Sequence, residues 1–512
     1  MRFENPILPG FYPDPSVCRV EDDYYLVTST FEWYPGVPIF HSRDLVHWRQ
    51  LGHVLDRPSQ LNLDGIRPSG GIYAPTLRHH DGVFYMITTL VDGKANEGDF
   101  LVTATNPAGP WSDPYWFPET EGFDPSLFFD DDGRAWMHGA RPARPQKYEG
   151  HMDVWLRELD LNTMKLVGEE HTLWDGAVKG ATWAEGPHLY KIDGTYHLLA
   201  SEGGTAQDHA LSAARSDTVT GPYTGSTRNP ILTHRNLGRS HPIVGTGHAD
   251  LVQTRQGDWW ALLLAMRPYG GYHYNLGRET FLTPVHWEDG WPVIPHIQPS
   301  AEAPSLPPRL WPAPPACDNF EAPHLAPHWN HLRTPRDQYW SLTDRPGHLR
   351  LRTRPESVTR HSDPSLIARR QQHIDFTART AMDFTPEGPD DRAGLVLIQN
   401  DAFHILLVRT ADGLEVLRRE AGVTRLLTRT PVPPGRLWLG VEAHGQDYQM
   451  SYATGPGHWH PLGDPVDGRV LSPTVAGGFT GAYIGMYTSS EGHPSRNSAD
   501  FDWFEYAPLP AT

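Results

Sequence analysis

The sequence contains few cysteines, a deficit of basic residues and no long apolar segment. Its two cysteines, Cys18 and Cys317, do not support a disulfide framework, and two free thiols fit a reducing compartment. Acidic residues outnumber basic ones by 61 to 43, and the formal charge of -18 argues against a nucleic-acid partner. The N-terminus lacks an apolar signal core, and no run of about 18 apolar residues follows. We therefore predict no membrane segment and a cytoplasmic protein.

Proline, glycine and aromatic residues, by contrast, are abundant. The chain has 49 Pro, 48 Gly and 18 Trp, a composition that favours an all-β fold with many tight turns. Its 512 residues exceed what one hydrophobic core supports, since single cores stop growing at roughly 250–300 residues. We therefore predict at least two β-rich domains.

A unit of two strands joined by a turn recurs five times. Each copy opens with a short segment marked by proline or small residues, continues through a turn containing Asp or Gly, and ends in an apolar strand rich in aromatic residues. Successive copies are separated by roughly 50–63 residues, which is typical of propeller blades or slightly longer units. Five such units predict a five-bladed β-propeller. The opening segments are 12–16, 73–76, 123–126, 185–188 and 247–250.

The composition changes where proline becomes dense. This proline-rich segment, 301–317, is predicted to be a semi-rigid linker. Short apolar strands with period-2 alternation follow it and indicate an antiparallel β-sandwich of the jelly-roll kind. We therefore predict a propeller at 1–300 and a β-sandwich at 318–512. Examples of the later strands are 348–352, 394–398, 437–441 and 482–487.

Three carboxylates fall in the opening segments of the repeats. Asp14 and Asp124 occupy corresponding positions, whereas Glu185 is one residue out of register and precedes Gly186. A shift of one residue normally turns a side chain to the other face, and a glycine bulge or the longer Glu side chain would restore its direction. Glycoside hydrolysis needs one carboxylic acid and one carboxylate, and a third carboxylate nearby raises the pKa of the acid. The alternative for each Asp is a residue that only organises a turn.

These segments resemble the motifs of glycoside hydrolase family 43, in particular those of its two-domain β-xylosidases. The segment 5–16 is similar to the family's opening motif around the general base. The segment 122–126 resembles the strand of the pKa-modulating aspartate, and 183–187 resembles the segment of the general acid. Residues 5–300 as a whole are similar to the catalytic propeller, and residues 318–507 to the β-sandwich that these enzymes append.

The resemblance implies an inverting, single-displacement glycosidase that releases xylose from the non-reducing ends of β-1,4-xylo-oligosaccharides. Glu185 would protonate the departing oxygen, Asp14 would act as the general base on water, and Asp124 would raise the pKa of Glu185. The chemistry implied in this way requires no cofactor. A homo-oligomer, either a dimer or a tetramer, is left open.

Four further residues resemble substrate-binding positions of the family. Arg278 is similar in context to an arginine directed at sugar hydroxyls, and a surface ion pair with Glu279 or another acid is its alternative. Phe31 and Tyr73 resemble aromatic residues that stack on the pentose, with core positions as their alternative. Tyr73 stands where close relatives have tryptophan. Phe479 resembles the residue that the sandwich inserts to narrow the pocket, which implies action on chain ends only.

His248 has two interpretations. Some family members hold a structural Ca²⁺ in the channel through such a histidine and waters, and the alternative is a hydrogen bond to a neighbouring carboxylate. Calcium prefers oxygen ligands, so one histidine is weak evidence for a metal. His248 is therefore predicted as a substrate-binding residue and as a candidate Ca²⁺ ligand.

Two other functions remain open from the sequence. The first is α-L-arabinofuranosidase, as the main or the second activity, because arabinofuranose and xylopyranose present overlapping hydroxyl geometry. The second is a non-catalytic carbohydrate-binding propeller, which is disfavoured because all three acids are present.

Overall fold

The computed structural model describes residues 2–94, 96–177, 180 and 182–510. Its N-terminal part consists of five consecutive antiparallel sheets with four or five strands each. Each sheet is built from strands that are neighbours in the sequence, as expected when short turns join them. We number these sheets one to five in chain order.

The strands of the five sheets have the following bounds. Sheet one contains Ser16–Val20, Asp23–Val27, Gly36–Ser42 and Arg49–Leu55. Sheet two contains Gly71–Ile72, Thr76–His80, Val83–Val91, Gly98–Ala104 and Tyr115–Trp116. Sheet three contains Phe123–Phe129, Ala135–Pro142, Met152–Asp160 and Lys165–Trp174. Sheet four contains Glu185–Ile192, Thr195–Glu202, Ala210–Ser216, Thr224–Gly225 and Leu232–Thr233. Sheet five contains Val244–Gln253, Trp259–Met266, Glu279–Glu288 and Trp291–Val293.

The inner strands of these sheets, which we call the first strands, form a closed ring of contacts. Each contacts the first strand of the next sheet, and that of sheet five contacts that of sheet one. Two predicted starts were too early, because the segments 12–16 and 73–76 largely precede their strands. Their prolines, Pro15 and Pro75, have no N–H for a ladder hydrogen bond. The first strands are Ser16–Val20, Thr76–His80, Phe123–Phe129, Glu185–Ile192 and Val244–Gln253.

The C-terminal part consists of two larger antiparallel sheets. The nine-stranded sheet contains Cys317–Asp318, Trp340–Ser341, Leu349–Arg352, Phe376–Asp383, Leu437–His444, Asp447–Ala453, His460–Pro461, Val466–Asp467 and Ser498–Pro508. The six-stranded sheet contains Ser365–Arg370, Arg392–Asn400, Phe403–Thr410, Gly413–Glu420, Val423–Thr430 and Tyr483–Ser489. One hydrophobic core lies between the two sheets, so this part is a β-sandwich.

Strand Arg392–Asn400 of the six-stranded sheet is buried on both faces. Leu395 and Leu397 of strand Arg392–Asn400 lie in the core between the two sandwich sheets. Val396 and Ile398 of the same strand lie in a second core, which also contains residues of the N-terminal part. A continuous apolar run is typical of a strand that has no solvent-facing side. The N-terminal members of the shared core include Phe11, Phe31 and Trp33.

Backbone pairing also joins the two parts. Strand Trp33–Tyr34 pairs with His331–Leu332, and the ring of Trp33 stacks on Tyr483 with centroids 3.6 Å apart. The N-terminal strand Arg2–Glu4 pairs with Ser300–Glu302, which begins the proline-rich segment. The sandwich is therefore packed against the N-terminal sheets through a shared core and shared strands.

Helical structure is limited to three short segments in the described part of the chain. Arg235–Leu237 and Gly468–Leu471 are 3₁₀ helices, and Pro473–Ala476 is a single α-helical turn. None of these has the length and apolar character that a membrane crossing requires.

Candidate active site

Four residues near the start of the first strands share a left-handed backbone. The φ angle is 54° at Asp14, 55° at Asp124, 56° at Gly186 and 51° at His248. In sheets three, four and five the pairing register shifts at this point, which is the mark of a β-bulge. A left-handed residue other than glycine costs of order 1–3 kcal/mol, so its repetition indicates that the surrounding structure imposes it.

Glu185 stands one residue before this left-handed position, in agreement with the register read from the sequence. Gly186 occupies the position itself because the His248 ring fills the adjacent space, and a Cβ on Gly186 would lie 2.8 Å from Cε1 of His248. The register shift that follows Glu185 is the glycine bulge considered above. Through it, the Glu185 side chain reaches the same cavity as Asp14 and Asp124.

This cavity has a volume of about 390 Å³ and is lined by residues from all five sheets or their loops and from the sandwich. The structure brings together every site residue named from the sequence. Those that line the cavity are Asp14, Phe31, Tyr73, Asp124, Glu185, His248, Arg278 and Phe479.

Asp14 is buried and held by two donors. Arg278 Nη1 donates to Asp14 Oδ1 at 2.8 Å, and the Ser29 hydroxyl donates to Oδ2. Nδ1 of His248 lies 3.7 Å from Asp14 Oδ1, which is beyond hydrogen-bond distance. The carboxylate is therefore fixed in orientation chiefly by Arg278 and Ser29.

Arg278 faces the cavity and does not form the surface ion pair with Glu279 that was its alternative. Glu279 is instead held by Arg267, at 2.7 and 2.8 Å. The Arg278 guanidinium lies 5.2 Å from the ring centroid of Phe31, within range of a cation–π interaction. Its buried Nε and Nη2 have no hydrogen-bond partner among the described residues.

The carboxyls of Glu185 and Asp124 both favour the protonated form. Burial, followed by the negative charge of Asp14, raises the pKa of Glu185 to about 8. Burial and the charges of Glu185 and Asp14 hold the pKa of Asp124 well above its usual range, although the Gly186 N–H donates to Asp124 Oδ2 at 3.0 Å. Because two buried carboxyls this close resist double ionisation, the pair retains a proton near neutral pH.

Aromatic rings form a second part of the cavity wall. The Phe31 ring centroid lies 5.1 Å from that of Tyr73 and 5.8 Å from that of Phe479. Phe479 belongs to the sandwich and is 37% exposed, and its N–H donates to Ser69 Oγ at 2.8 Å. This hydrogen bond fixes the sandwich loop against the N-terminal part.

Sequence reasoning missed several cavity residues. Trp183, 40% exposed, lies with its ring centroid 6.4 Å from that of Phe123, and both line the cavity. The position of Trp183 two residues before Glu185 was a signal that could have identified it. Thr205, whose hydroxyl accepts from Arg278 Nη1 at 3.2 Å, lies in a loop without a recognisable motif.

His248 is the residue that the sequence predicted as a metal ligand. No three His, Cys, Asp or Glu side chains in the part of the chain that the structure describes are grouped as ligands of one metal ion. The backbone N–H of His248 donates to Ser201 Oγ at 2.5 Å, and its ring packs beside Gly186.

Comparisons with known proteins identify the family of this chain. The family model described as "Glycosyl hydrolases family 43" matches residues 3–292, and that described as "Beta xylosidase C-terminal Concanavalin A-like domain" matches 317–507. A relative from Butyrivibrio fibrisolvens named "Xylosidase/arabinosidase" is 44% identical, with 98% of each chain covered. A relative from Bacteroides ovatus, named a non-reducing end α-L-arabinofuranosidase, is 41% identical over 98% of this chain and 94% of its own.

Solved structures give the same result. The structure titled as a xylan β-1,4-xylosidase from Bacillus halodurans C-125 has a TM-score of 0.92 and 39% identity, with 98% of this chain and 99% of that chain covered. The match extends over both the N-terminal sheets and the sandwich. The chain therefore belongs to glycoside hydrolase family 43, in its form with a C-terminal β-sandwich domain.

Proposed function

We propose that this glycoside hydrolase is an inverting exo-enzyme that releases xylose from the non-reducing ends of β-1,4-xylo-oligosaccharides. The observation that carries the proposal is the convergence of Asp14, Asp124 and Glu185 on one cavity, with Arg278 beside them. Sugar hydrolysis needs a protonated and an ionised carboxyl on opposite sides of the scissile bond. The roles below follow from the surroundings of each carboxyl.

Glu185 is the general acid. With its pKa at about 8, it carries a proton at neutral pH and can donate it to the departing glycosidic oxygen. The bulge at Gly186 supports this role because it directs the side chain into the cavity.

Asp14 is the general base. Arg278 and Ser29 each donate to one of its oxygens, which orients the carboxylate while leaving lone pairs for the proton of a water molecule. In an inverting enzyme that water attacks the face of the sugar opposite the leaving group, and the two carboxyls stand about 6.5–9.5 Å apart.

Asp124 sets the protonation of Glu185 and holds its backbone. The Gly186 N–H donates to Asp124, so this carboxyl is tied to the residue that follows the acid. The same proximity couples the titrations of the two carboxyls.

Exo-action is supported by the architecture around the cavity. We propose that the five sheets are the blades of a five-bladed propeller, for which the closed ring of first strands is the support. Phe479 from the sandwich narrows one side, so a terminal pentose fits and a threaded polymer does not. We propose the domain limits 1–300, 301–317 and 318–512, with strand Cys317–Asp318 already paired in the sandwich.

Proton NMR of xylobiose hydrolysis tests this function directly. The first-formed xylose is expected to be the α-anomer, because single displacement inverts the β-linkage. Longer xylo-oligosaccharides should lose monomers from one end, with little action on polymeric xylan. An initial β-anomer would contradict the role of Asp14 as base, and internal cleavage would contradict exo-action.

The second candidate is α-L-arabinofuranosidase activity, alone or together with the first. Its support is the printed names of two relatives that match nearly the whole chain, one xylosidase/arabinosidase and one α-L-arabinofuranosidase. Comparing kcat/KM on nitrophenyl β-D-xylopyranoside and nitrophenyl α-L-arabinofuranoside decides between them. A protein that binds xylo-oligosaccharides and hydrolyses neither substrate would be the non-catalytic alternative.

The cofactor requirement, the cellular location and the oligomeric state of the enzyme remain predictions. No step above involves a cofactor. A cytoplasmic location fits the two free cysteines, Cys18 and Cys317, and is tested by cell fractionation. A dimer or tetramer would be detected by light scattering coupled to size-exclusion chromatography.

A further inference from the structure

A buried ion pair lies among the first strands, close in sequence to the site residues. Arg78 Nη1 donates to Asp250 Oδ2 at 2.7 Å, and Nη2 donates to Oδ1 at 3.2 Å. The Asp250 side chain is fully buried and that of Arg78 is 15% exposed. A buried carboxylate of this kind requires a nearby cation and several hydrogen bonds.

All five sheets contribute to the surroundings of this pair. The Ser16 hydroxyl donates to Asp250 Oδ2 at 2.7 Å, and the Tyr190 hydroxyl donates to Oδ1 at 2.6 Å. Nδ1 of His188 accepts from Arg78 Nη2 at 3.0 Å and lies 3.1 Å from Ser126 Oγ. We call this set the strand-tie cluster: Ser16, Arg78, Ser126, His188, Tyr190 and Asp250.

The strand-tie cluster is connected to the active site through very short backbone segments. Four of its members stand two residues after the four left-handed positions described above. A movement of the cluster is therefore transmitted to the backbone that carries the acids. The pairs are Asp14 with Ser16, Asp124 with Ser126, Gly186 with His188, and His248 with Asp250.

The cluster also bears on the predicted calcium ion. The two oxygens of Asp250 accept five hydrogen bonds, from Ser16, Val17 N–H, Tyr190 and both terminal nitrogens of Arg78. A carboxylate has about four lone-pair sites, so no position is left for a metal. Burial lowers the pKa of His188 to about 3, and this ring stays a neutral acceptor. The positive charge between the first strands is thus a guanidinium.

We propose that Arg78 and Asp250 are positioning residues of the glycosidase, which join the five first strands and fix the relative positions of Asp14, Asp124 and Glu185. The Arg78 guanidinium supplies at Asp250 the positive charge that a structural Ca²⁺ between the first strands would otherwise supply, so this cluster binds no metal ion. The positioning role rests on the proposed function, whereas the replacement of calcium does not.

Variants of the full chain test the positioning role. Arg78→Met and Asp250→Asn should lower kcat on xylobiose by up to about 100-fold with little change in KM, since misplacement of catalytic groups by about 1 Å has this effect. Their pH–rate profiles should also change shape, because the coupling of Glu185 and Asp124 depends on their separation. Arg78→Lys should recover part of the rate. The matched control is Arg255→Met, which removes an exposed pair between sheets five and one (Arg255 with Asp22, 2.9 Å) and should retain the wild-type kcat.

Milder variants keep the test decisive if Arg78→Met does not fold. Ser126→Ala leaves both charges in place and removes one contact of His188, and it should still lower kcat several-fold more than Arg255→Met. An active wild type whose Arg78→Lys and Ser126→Ala variants keep their kcat and pH profile would refute the positioning role. A wild type without activity on either pentoside would instead refute the proposed function.

Calcium itself is the probe for the second part. The Tm of the wild type should be unchanged by CaCl₂ and by EDTA, as measured by differential scanning fluorimetry. A saturable rise of Tm with CaCl₂ that EDTA reverses would show that a metal site exists beside or instead of the guanidinium. That result would overturn the replacement of calcium by Arg78 whatever the activity measurements show.

Discussion

The two sides of the active-site cavity are built in different ways. The acid side consists of Asp14, Asp124 and Glu185, which stand at or just before the starts of first strands and are held by hydrogen bonds and coupled charges. The aromatic side consists of Phe31, Tyr73 and Phe479, which lie outside the regular strands and come from both domains. Under the roles proposed above, the difference separates the chemistry, which would depend on a repeated backbone feature, from the selection of the sugar, which would depend on loops that contact one another through rings.

The first way to test this comparison is to remove the base. Asp14→Ala should lower kcat about 10²- to 10⁴-fold on xylobiose and on nitrophenyl xyloside alike, because every substrate needs an activated water. Ser29→Ala is the matched control, since it keeps the carboxylate and removes one of its donors, and should lose far less. The measurement is steady-state kinetics on both substrates. Equal losses of kcat in Asp14→Ala and Ser29→Ala would contradict the assignment of Asp14 as the base.

Removal of the acid should give a substrate-dependent loss. Glu185→Ala should lower kcat on xylobiose about 10²- to 10⁴-fold and affect nitrophenyl xyloside much less, because an activated phenolate leaves without a proton. Azide should partly restore this variant and not Asp14→Ala. Equal losses on the two substrates would assign the acid to another residue.

Asp124→Asn should change the pH dependence as well as the rate. The charge of Glu185 raises the pKa of Asp124, and because such repulsion is mutual the pair retains a proton to higher pH. Without the Asp124 carboxyl, Glu185 loses its proton at lower pH, so the basic limb of the kcat profile should move to lower pH. A basic limb that stayed in position or moved upward would leave Asp124 with a structural role only.

On the aromatic side the expected effects are smaller. Phe479→Ala should raise KM for xylobiose by roughly 5- to 30-fold, corresponding to about 1–2 kcal/mol for a ring that is only partly buried. Leu426→Ala removes another exposed apolar side chain of the sandwich, outside the cavity, and should leave KM unchanged. Similar KM values for the two variants would show that Phe479 does not take part in substrate binding.

The three acids could be proposed from the repeat itself, whereas Phe31, Tyr73 and Phe479 were named only through the resemblance to family 43, and this difference has a physical reason. Asp14 and Asp124 recur with the same proline-marked neighbours, because each occupies the same left-handed position in its own sheet. Trp183 and Thr205 belong to loops, where position depends on the whole fold. The ion pair of Arg78 and Asp250 joins distant copies of the repeat. No local sequence motif around either residue indicates that the two side chains pair.

The pairing of Trp33–Tyr34 with His331–Leu332 has a consequence for synthesis on the ribosome. The shared core of Phe11, Phe31 and Trp33 is incomplete until the six-stranded sheet, which ends with Tyr483–Ser489, has emerged. During most of translation these rings have no partner surface, and exposed apolar surface of this kind makes nascent chains prone to aggregation. Contacts between residues this distant in sequence also slow folding. We therefore expect this shared core to be complete only late in synthesis, when nearly the entire polypeptide is available.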